Sequence, residues 1–508
     1  MSVLFINPAF RFEPPEQKGG HVLFPFGIGY IASYIRERDH EVGVWDILIE
    51  EKGYDDVLRQ IRSGILDGYD YIGITAIVTQ FSYVKRLIED IKAHTDVPVM
   101  VGGALSTHSH ELLLKHTKTD ICILGPGEVS TEEILSGANL ADVEGIAFRT
   151  DDGAIVRTPD RKLPKDLNIF PPPAYDLFDV EFYVTHTGLM DVVRPFYKGL
   201  RVAAMITARG CPYSCNFCSK SVHGVGVRDI DSIMEEVDYF VREHKVQAIH
   251  FVDELLVITK KRLLEICRRL KPLGLKWDCQ ARVNLVDEEM LRAMKDAGCV
   301  CVGFGIESGS QKILKRMNKQ ITVEQIRSAL SICREINLPV KAQLIYGYPG
   351  ESLETLDETV NLFKELKCPV RRFSVIKPLP GAELWEEAKQ DGHIGLKFTE
   401  LEYIERLCAY FQDKGIQYNK TELSDEVFFE LVGEYELKSI TNFLKESIKN
   451  PVDFFAHWEI SKCYLRHLLW ENNNIPQLRF IAYIRQGVRH PDQILPFIVR
   501  KVREAFSG

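Results

Sequence analysis

The sequence has no long uninterrupted apolar run. Its longest stretches, such as Val300 to Ile306, fall far short of the ~18 residues of a membrane-spanning helix, so no membrane span is expected. The amino terminus, Met1-Ser2-Val3-Leu4-Phe5-Ile6-Asn7-Pro8, lacks a basic leader and meets a proline after a short apolar run. It reads as a first strand, not a signal peptide, and a cytoplasmic location is the expectation. Positive charge is scarce as well: Lys and Arg total 63 against 72 Asp and Glu, a net charge of −9. That is a poor footprint for gripping phosphates, so no nucleic-acid partner is expected. Solenoid-period repeats and low-complexity segments are absent. Neither G-x-G-x-x-G nor G-x-x-x-x-G-K-[ST] occurs in the first 145 residues, which leaves that region without a nucleotide-loop signature. Cysteine is scarce in the first 200 residues, where Cys122 stands alone among a total of 12. An even total fits disulfides, free thiols or metal ligands, and a reducing compartment favours the latter two.

The chain has 508 residues, which at roughly 150 per domain suggests about three domains with sizeable cores. Apolar residues make up 45% and charged residues 27%, an ordinary globular balance. Residues 1–145 alternate short β-branched runs (Val3 to Ile6, Glu41 to Trp45, Tyr71 to Ala76, Pro98 to Val101, Ile121 to Leu124) with helical periodicity. This predicts an α/β, doubly wound, Rossmann-like parallel sheet with its ligand loops at the carboxyl ends of the strands. Residues 146–200 read as a linker stiffened by Pro171-Pro172-Pro173. A second series occupies 201–385, with strands expected at Arg201 to Thr207, Ala248 to Val252, Lys276 to Gln280, Val300 to Gly305, Val340 to Ile345 and Arg372 to Ile376. It predicts a partial (β/α)6 barrel. Residues 386–508 read as a mainly helical domain without clear motifs. Between Ile475 and Gly508, six basic residues oppose two acidic ones among aromatics. This pattern reads as a solvated helix face or as a contact with a membrane surface or acidic partner.

The densest chemistry is Cys211-Pro212-Tyr213-Ser214-Cys215-Asn216-Phe217-Cys218, in the loop after the first barrel strand. Thiolates spaced C-x3-C-x2-C can surround one centre, and three of them on a four-iron cube leave one iron open. Zinc is the rival, but it needs a fourth ligand, for which His223 or the distant Cys267 are the candidates. The other nine cysteines read as small buried hydrophobes. Cys299 and Cys301 alternate on a strand, and Cys267 and Cys333 lie on amphipathic helices.

The triplet, with Phe217 before its last cysteine, resembles the signature of the radical S-adenosylmethionine (SAM) enzymes. Ile249-His250-Phe251-Val252-Asp253-Glu254 resembles their acidic second-strand motif. Gly303-Phe304-Gly305-Ile306-Glu307-Ser308-Gly309 resembles their GIESGS segment, and Tyr346-Gly347-Tyr348-Pro349-Gly350-Glu351 their GxPGE turn. Lys377-Pro378-Leu379-Pro380-Gly381 resembles the PxPGT turn, with Ala382 where Thr is common. The likeness spans residues 200 to 385, and it implies that the helical domain 386–508 caps the barrel mouth and helps select substrate. Ahead of it, Asn7-Pro8, Pro25 to Tyr30, Val101 to Thr107 and Gly125 to Glu128 resemble the cobalamin-binding domain of the B12-dependent members. The D-x-H-x-x-G motif that gives cobalt a histidine is absent. Asp391-Gly392-His393-Ile394-Gly395-Leu396 comes near, but Leu396 replaces the glycine and the segment lies outside the sheet domain. Methylthiotransferases share the layout but carry a second cysteine trio in the amino-terminal domain, which the lone Cys122 excludes.

The resemblance implies a [4Fe-4S] cluster on Cys211, Cys215 and Cys218. It implies SAM contacts from Phe217, Asp253, Glu254, Arg282, Glu307 and Gly347. For cobalamin it implies contacts from Pro8, Gly27, Thr75, Thr79, Gly102, Gly103, Ser106, Gly125, Gly127 and Glu128, with the segment Thr75 to Gln80 at the lower face. Tyr346 and Tyr348 are the candidate catalytic residues, facing substrate at the barrel mouth with His250. Plainer roles compete: helix capping for Asp253 and Glu254, an exposed strand end for Arg282, an ion pair of Glu307 with Arg282 or Lys341, and simple packing for the tyrosines. The implied reaction moves a methyl group from SAM, through methylcobalamin and a 5′-deoxyadenosyl radical, to an unactivated carbon or a phosphorus. Alternatives are a B12-dependent cyclisation or rearrangement, and a B12-binding module on an inactive barrel. Expected partners are a low-potential donor such as flavodoxin or ferredoxin and a small-molecule, peptide or lipid substrate.

Overall fold

In the computed structural model, residues 1–13, 22–50, 52–150, 152–186, 194–368, 373–408, 418–428 and 431 are described. The amino-terminal strands are β1 (Ser2–Asn7), β2 (Glu41–Asp46), β3 (Tyr71–Thr75), β4 (Val99–Gly102) and β5 (Ile121–Ile123). They pair in parallel in the order β2-β1-β3-β4-β5. Every residue of β1 and β5 is buried, as expected where helices cover both faces. The strand order reverses between β1 and β3, and such a switch point opens a crevice at the carboxyl ends.

Residues 146–157 are not linker. Strands β6 (Ile146–Arg149) and β7 (Ile155–Arg157) extend the sheet antiparallel beyond β5. They are too short to show an alternating pattern in sequence, yet they cover the polar edge that β5 would otherwise expose. The proline connector packs tightly: Ala174 N donates to Gly29 O at 3.0 Å. Phe24 meets the rings of Tyr175, Phe178 and Tyr183, and one apolar core runs from β1 into the second sheet.

That second sheet holds β8 (Val202–Met205), β9 (Ala248–Phe251), β10 (Lys276–Ala281), β11 (Cys299–Glu307), β12 (Val340–Tyr346) and β13 (Phe373–Val375). All pair in parallel in sequential order, and β8 does not meet β13. The result is a partial barrel. Alternation sorts its faces: Ile249, Phe251, Trp277 and Cys279 pack outward against Val237, Phe240 and Ile266 of the flanking helices. Ala248 and Cys301 turn inward onto Tyr197, which floors the barrel. The helices begin where the sequence offers caps, such as Asp287 accepting from Met290 N at 2.9 Å and the Thr322/Gln325 capping box.

The carboxy-terminal region is helical where it is described, with helices Glu383–Gln390 and Glu400–Cys408. The second of these lies on the sheet domain, not over the barrel mouth. The Cys408 thiol donates to Val78 O at 3.5 Å and Glu405 pairs with Lys85 at 3.5 Å. Residues 418–428 return to the barrel, where Tyr346 Oη donates to Phe428 O at 2.7 Å. The basic stripe between 475 and 508 lies outside the described residues. Among the described residues no helix is long and apolar enough to cross a membrane.

Candidate active site

The cysteine loop leaves β8 through Ala208–Arg209, which pairs antiparallel with Gly226–Val227. Gly210 has φ +84, and a Cβ there would stand 2.3 Å from Gly224 O, so only glycine fits this turn. Asp253 and Glu254 are not helix caps. Asp253 accepts hydrogen bonds from Thr207 N at 2.7 Å, from Thr207 Oγ1 at 3.3 Å and from Ala208 N. Glu254 Oε2 accepts from Gly210 N at 3.2 Å. The acidic pair thus fastens the backbone on either side of Arg209, immediately before Cys211. Burial pushes the Asp253 carboxyl up to about 7, against the pull of those hydrogen bonds.

Cys211 and Cys215 are half-buried and Cys218 is exposed, while Cys122, Cys267, Cys279, Cys299, Cys301, Cys333 and Cys368 are buried and Cys408 is half-buried; none of these is in a disulfide. The triplet is therefore reachable where the other described cysteines, Cys408 apart, are core. Among the described residues no three ligating side chains converge on a single-ion position. A four-iron cube instead takes one thiolate at each of separate corners, and three accessible thiols in one loop fit that donor set.

Arg282 is not an exposed strand end. It is 6% exposed, its guanidinium lies 3.5 Å over the Tyr213 ring, and Nη1 is 3.9 Å from Cys215 Sγ. The partner shown for Glu307 is Lys319, whose Nζ donates to Glu307 Oε1 at 2.7 Å. Lys319 carries no periodic signal in sequence, because it sits in the turn after helix Gln311–Arg316. The turn also places its ammonium 5.8 Å from the Phe217 ring centroid. Arg282, Glu307, Lys319 and Phe217 therefore gather beside the cysteines.

Tyr348 is 1% exposed and meets the Phe217 ring edge-on at 6.4 Å. Tyr346 stacks on Phe428 at 4.7 Å, to whose carbonyl it donates. His250 does not share the mouth with them. It sits lower on β9, with Nδ1 2.9 Å from Asp278 Oδ2, and Asp278 Oδ1 accepts from Tyr197 Oη at 2.6 Å. Gly347 has φ +88, and a Cβ there would stand 2.5 Å from the Phe428 ring. Its N–H donates to Glu351 Oε2 at 2.6 Å, so the turn is closed by its own glutamate.

Burial pushes the Glu351 carboxyl up to about 8. A carboxyl raised in the folded state binds its proton more tightly there than in the unfolded chain, so stability falls as pH rises between the ordinary value and about 8. Melting temperatures should therefore drop more steeply from pH 5 to pH 8 in the wild type than in Glu351→Gln, by the equivalent of about a few kcal/mol. Parallel melting curves would show that Glu351 is not the source.

At the mouth of the first sheet, Pro8 O accepts from Gln80 Nε2 at 2.8 Å, joining the loops after β1 and β3. Thr75 ends β3, and the Thr79 hydroxyl is buried without a partner among the described residues. Ser106 is fully buried. Gly103 has φ +85, and a Cβ there would stand 2.5 Å from Ala76 O. Gly27 and Gly102 face open space, the nearest atom to a Cβ at Gly102 being Ile123 Cβ at 3.8 Å. A Cβ at Gly127 would meet the Ile31 side chain at 2.9 Å. Glu128 turns toward the barrel and pairs with Arg209 at 2.5 Å, and Arg209 lies 4.3 Å over the Tyr30 ring. Glu128 Oε2 stays buried and unpartnered among the described residues. Asp46, which the sequence did not single out, completes this edge. It accepts from Asn7 Nδ2 at 2.8 Å and Tyr183 Oη at 2.6 Å, and burial pushes it up to about 6. Open glycine positions beside orphaned buried acceptors fit an amide-rich group such as cobalamin.

The two mouths share one cleft. A cavity of about 440 Å³ is lined by Thr107, His108, Gly125 and Pro126 from the first domain and by Cys215, Cys218, His223 and Gly381 from the second. Gly125 N donates to Thr107 Oγ1 at 3.0 Å. The His108 ring is so close to Gly381 that a Cβ there would stand 2.1 Å away. A hollow of about 640 Å³ at the opposite end, lined by Lys271, Lys276 and Lys295, opens at the amino ends of the strands, where barrel folds do not place their chemistry.

Residues 205–363 match the radical SAM superfamily, and residues 17–135 match the B12 binding domain. The chain is 31% identical to an uncharacterized methyltransferase of Pyrococcus horikoshii over 72% of its own length and 78% of that protein. It is 29% identical to the anaerobic magnesium-protoporphyrin IX monomethyl ester cyclase of Rubrivivax gelatinosus, over 76% of this chain and 70% of the cyclase. Its fold is similar to that of the radical SAM methyltransferase TsrM from Kitasatospora setae, solved with cobalamin and a [4Fe-4S] cluster bound. That likeness has a TM-score of 0.61 at 21% identity and covers 77% of this chain and 75% of that one. With both matched domains facing one cleft, the chain belongs to the cobalamin-dependent radical SAM enzymes, whose cofactors are a [4Fe-4S] cluster, SAM and cobalamin.

Proposed function

We propose that this enzyme transfers a methyl group from SAM to an unactivated carbon or phosphorus of a substrate held between the two mouths. The observation that carries the reading is the shared cleft, which sets the Gly125 loop of the sheet domain against Cys215 and Cys218. When bound, the cluster with SAM supplies radical chemistry and cobalamin supplies a methyl carrier. The chain's own residues hold and orient these groups. Cys211, Cys215 and Cys218 would ligate the cluster, and Asp253 with Glu254 hold the backbone leading into their loop. Arg282 presents a fixed cation beside Cys215, suited to the SAM carboxylate, with Phe217 and Glu307 alongside it. Pro8, Thr75, Thr79, Gly102, Gly103 and Ser106 would face cobalamin from the sheet. Glu128, through Arg209, ties that face to the cysteine loop. The electrons would come from a low-potential donor such as a flavodoxin or ferredoxin.

The cyclase among the relatives favours a second reading, cyclisation without net methyl transfer. Reconstituted protein given SAM, cobalamin and a low-potential reductant is expected to release both 5′-deoxyadenosine and S-adenosylhomocysteine. Deoxyadenosine alone would move cyclisation ahead, and neither product would overturn both readings.

A further inference from the structure

The barrel mouth carries a buried ion pair whose surroundings are unusual. Lys319 and Glu307 side chains are 6% and 9% exposed, 2.7 Å apart. Three non-glycine residues around them are left-handed, Glu307 at φ 68, Asn318 at φ 51 and Gln320 at φ 57, and β11 slips register against β12 between Gly305 and Glu307. Such backbone persists only where its surroundings over-determine it, and it concentrates at functional sites. The surroundings here are the cysteine loop. Asn216 N donates to Met317 O at 3.0 Å, Asn216 Nδ2 to Arg316 O at 3.2 Å, and Asn318 Nδ2 to Ser214 O at 2.6 Å. Arg282 spans both segments, donating to Lys319 O while its other terminal nitrogen lies 3.9 Å from Cys215 Sγ.

Residues 316–319 therefore form a strap laced to the loop, and the buried Lys319 is its anchor. Glu307 neutralises that anchor in a setting where charges are poorly screened. A charge next to an iron–sulfur cluster changes how readily the cluster accepts an electron, a positive one favouring the reduced state and a negative one opposing it.

We propose that Glu307 and Lys319 are a positioning pair for the three-cysteine loop, with Lys319 fixing the strap and the balance of the two charges setting the reduction potential of the cluster. This rests on the reading of Cys211, Cys215 and Cys218 as cluster ligands and adds a function that the ligands themselves do not reveal.

The test is an anaerobic redox titration followed by electron paramagnetic resonance, with iron content measured on each sample, for wild type, Glu307→Gln, Lys319→Met and the double variant. Glu307→Gln should titrate at higher potential and Lys319→Met at lower potential, while the double variant returns toward wild type. Iron content should stay within twofold throughout. Shifts of the same sign, no shift in the iron-replete single variants, or a double variant that does not return would each overturn the pair's role. If Lys319→Met loses its circular-dichroism signal, the nearly isosteric Glu307→Gln decides alone, and its failure to shift upward overturns the proposal. A wild type that takes up no iron would overturn the cluster reading, and this inference with it.

Discussion

Cys215→Ala is expected to remove most of the iron from anaerobically reconstituted protein and to abolish SAM cleavage. The paired control is Cys333→Ala, in a thiol that is 1% exposed and packed in the barrel's outer core. That change removes one buried sulfur and should cost about 1–2 kcal/mol of stability with iron content intact. The contrast matters because composition treats all cysteines alike. Cys215 sits half-buried on a loop beside Arg282, whereas Cys333 is held by its helix. Loss of iron in both variants, or in neither, would refute the assignment of the cluster to the triplet. Iron and sulfide analysis with the visible absorption spectrum provides the measurement.

The second large effect is expected at Asp253. Alanine there leaves the backbone N–H groups of Thr207 and Ala208 without their acceptor in a place where the carboxylate is 2% exposed. Each buried donor left unmade costs about 1–3 kcal/mol, so a combined loss of about 2–6 kcal/mol is expected. Because those amides lead directly into Cys211, the damage should reach the cluster, with slower iron uptake as well as a lower melting temperature. Asp253→Asn keeps an acceptor oxygen and should fall between wild type and alanine. A normal melting temperature with poor iron uptake would instead place Asp253 among groups that act on the cofactor and not on the loop. Glu254→Ala should be milder, since Glu254 is exposed and releases one amide, that of Gly210.

Local chemistry made much of this protein legible in advance. Parallel strands buried on both faces appear in sequence as short β-branched runs, so ten of their positions from Val3 to Ile345 could be placed from the chain alone, within a few residues at their ends. The cysteine triplet is legible because a single loop must supply all three thiols, which forces them together in sequence. Glycines such as Gly103 and Gly347 announce turns because only their φ values permit them.

Tertiary structure decided which charges meet. Glu128 finds Arg209 across 81 residues, His250 finds Asp278 across 28, and Glu307 finds Lys319 across 12. It also decided that residues 146–157 finish a sheet and that helix Glu400–Cys408 lies against Val78 of the sheet domain. The physical reason is the same in each case. Hydrophobic periodicity and backbone propensity are written along the chain at spacings of two to four residues. An ion pair or a sheet edge is satisfied by whatever partner the packed fold brings within about 3 Å, and nothing in the local sequence records that distance.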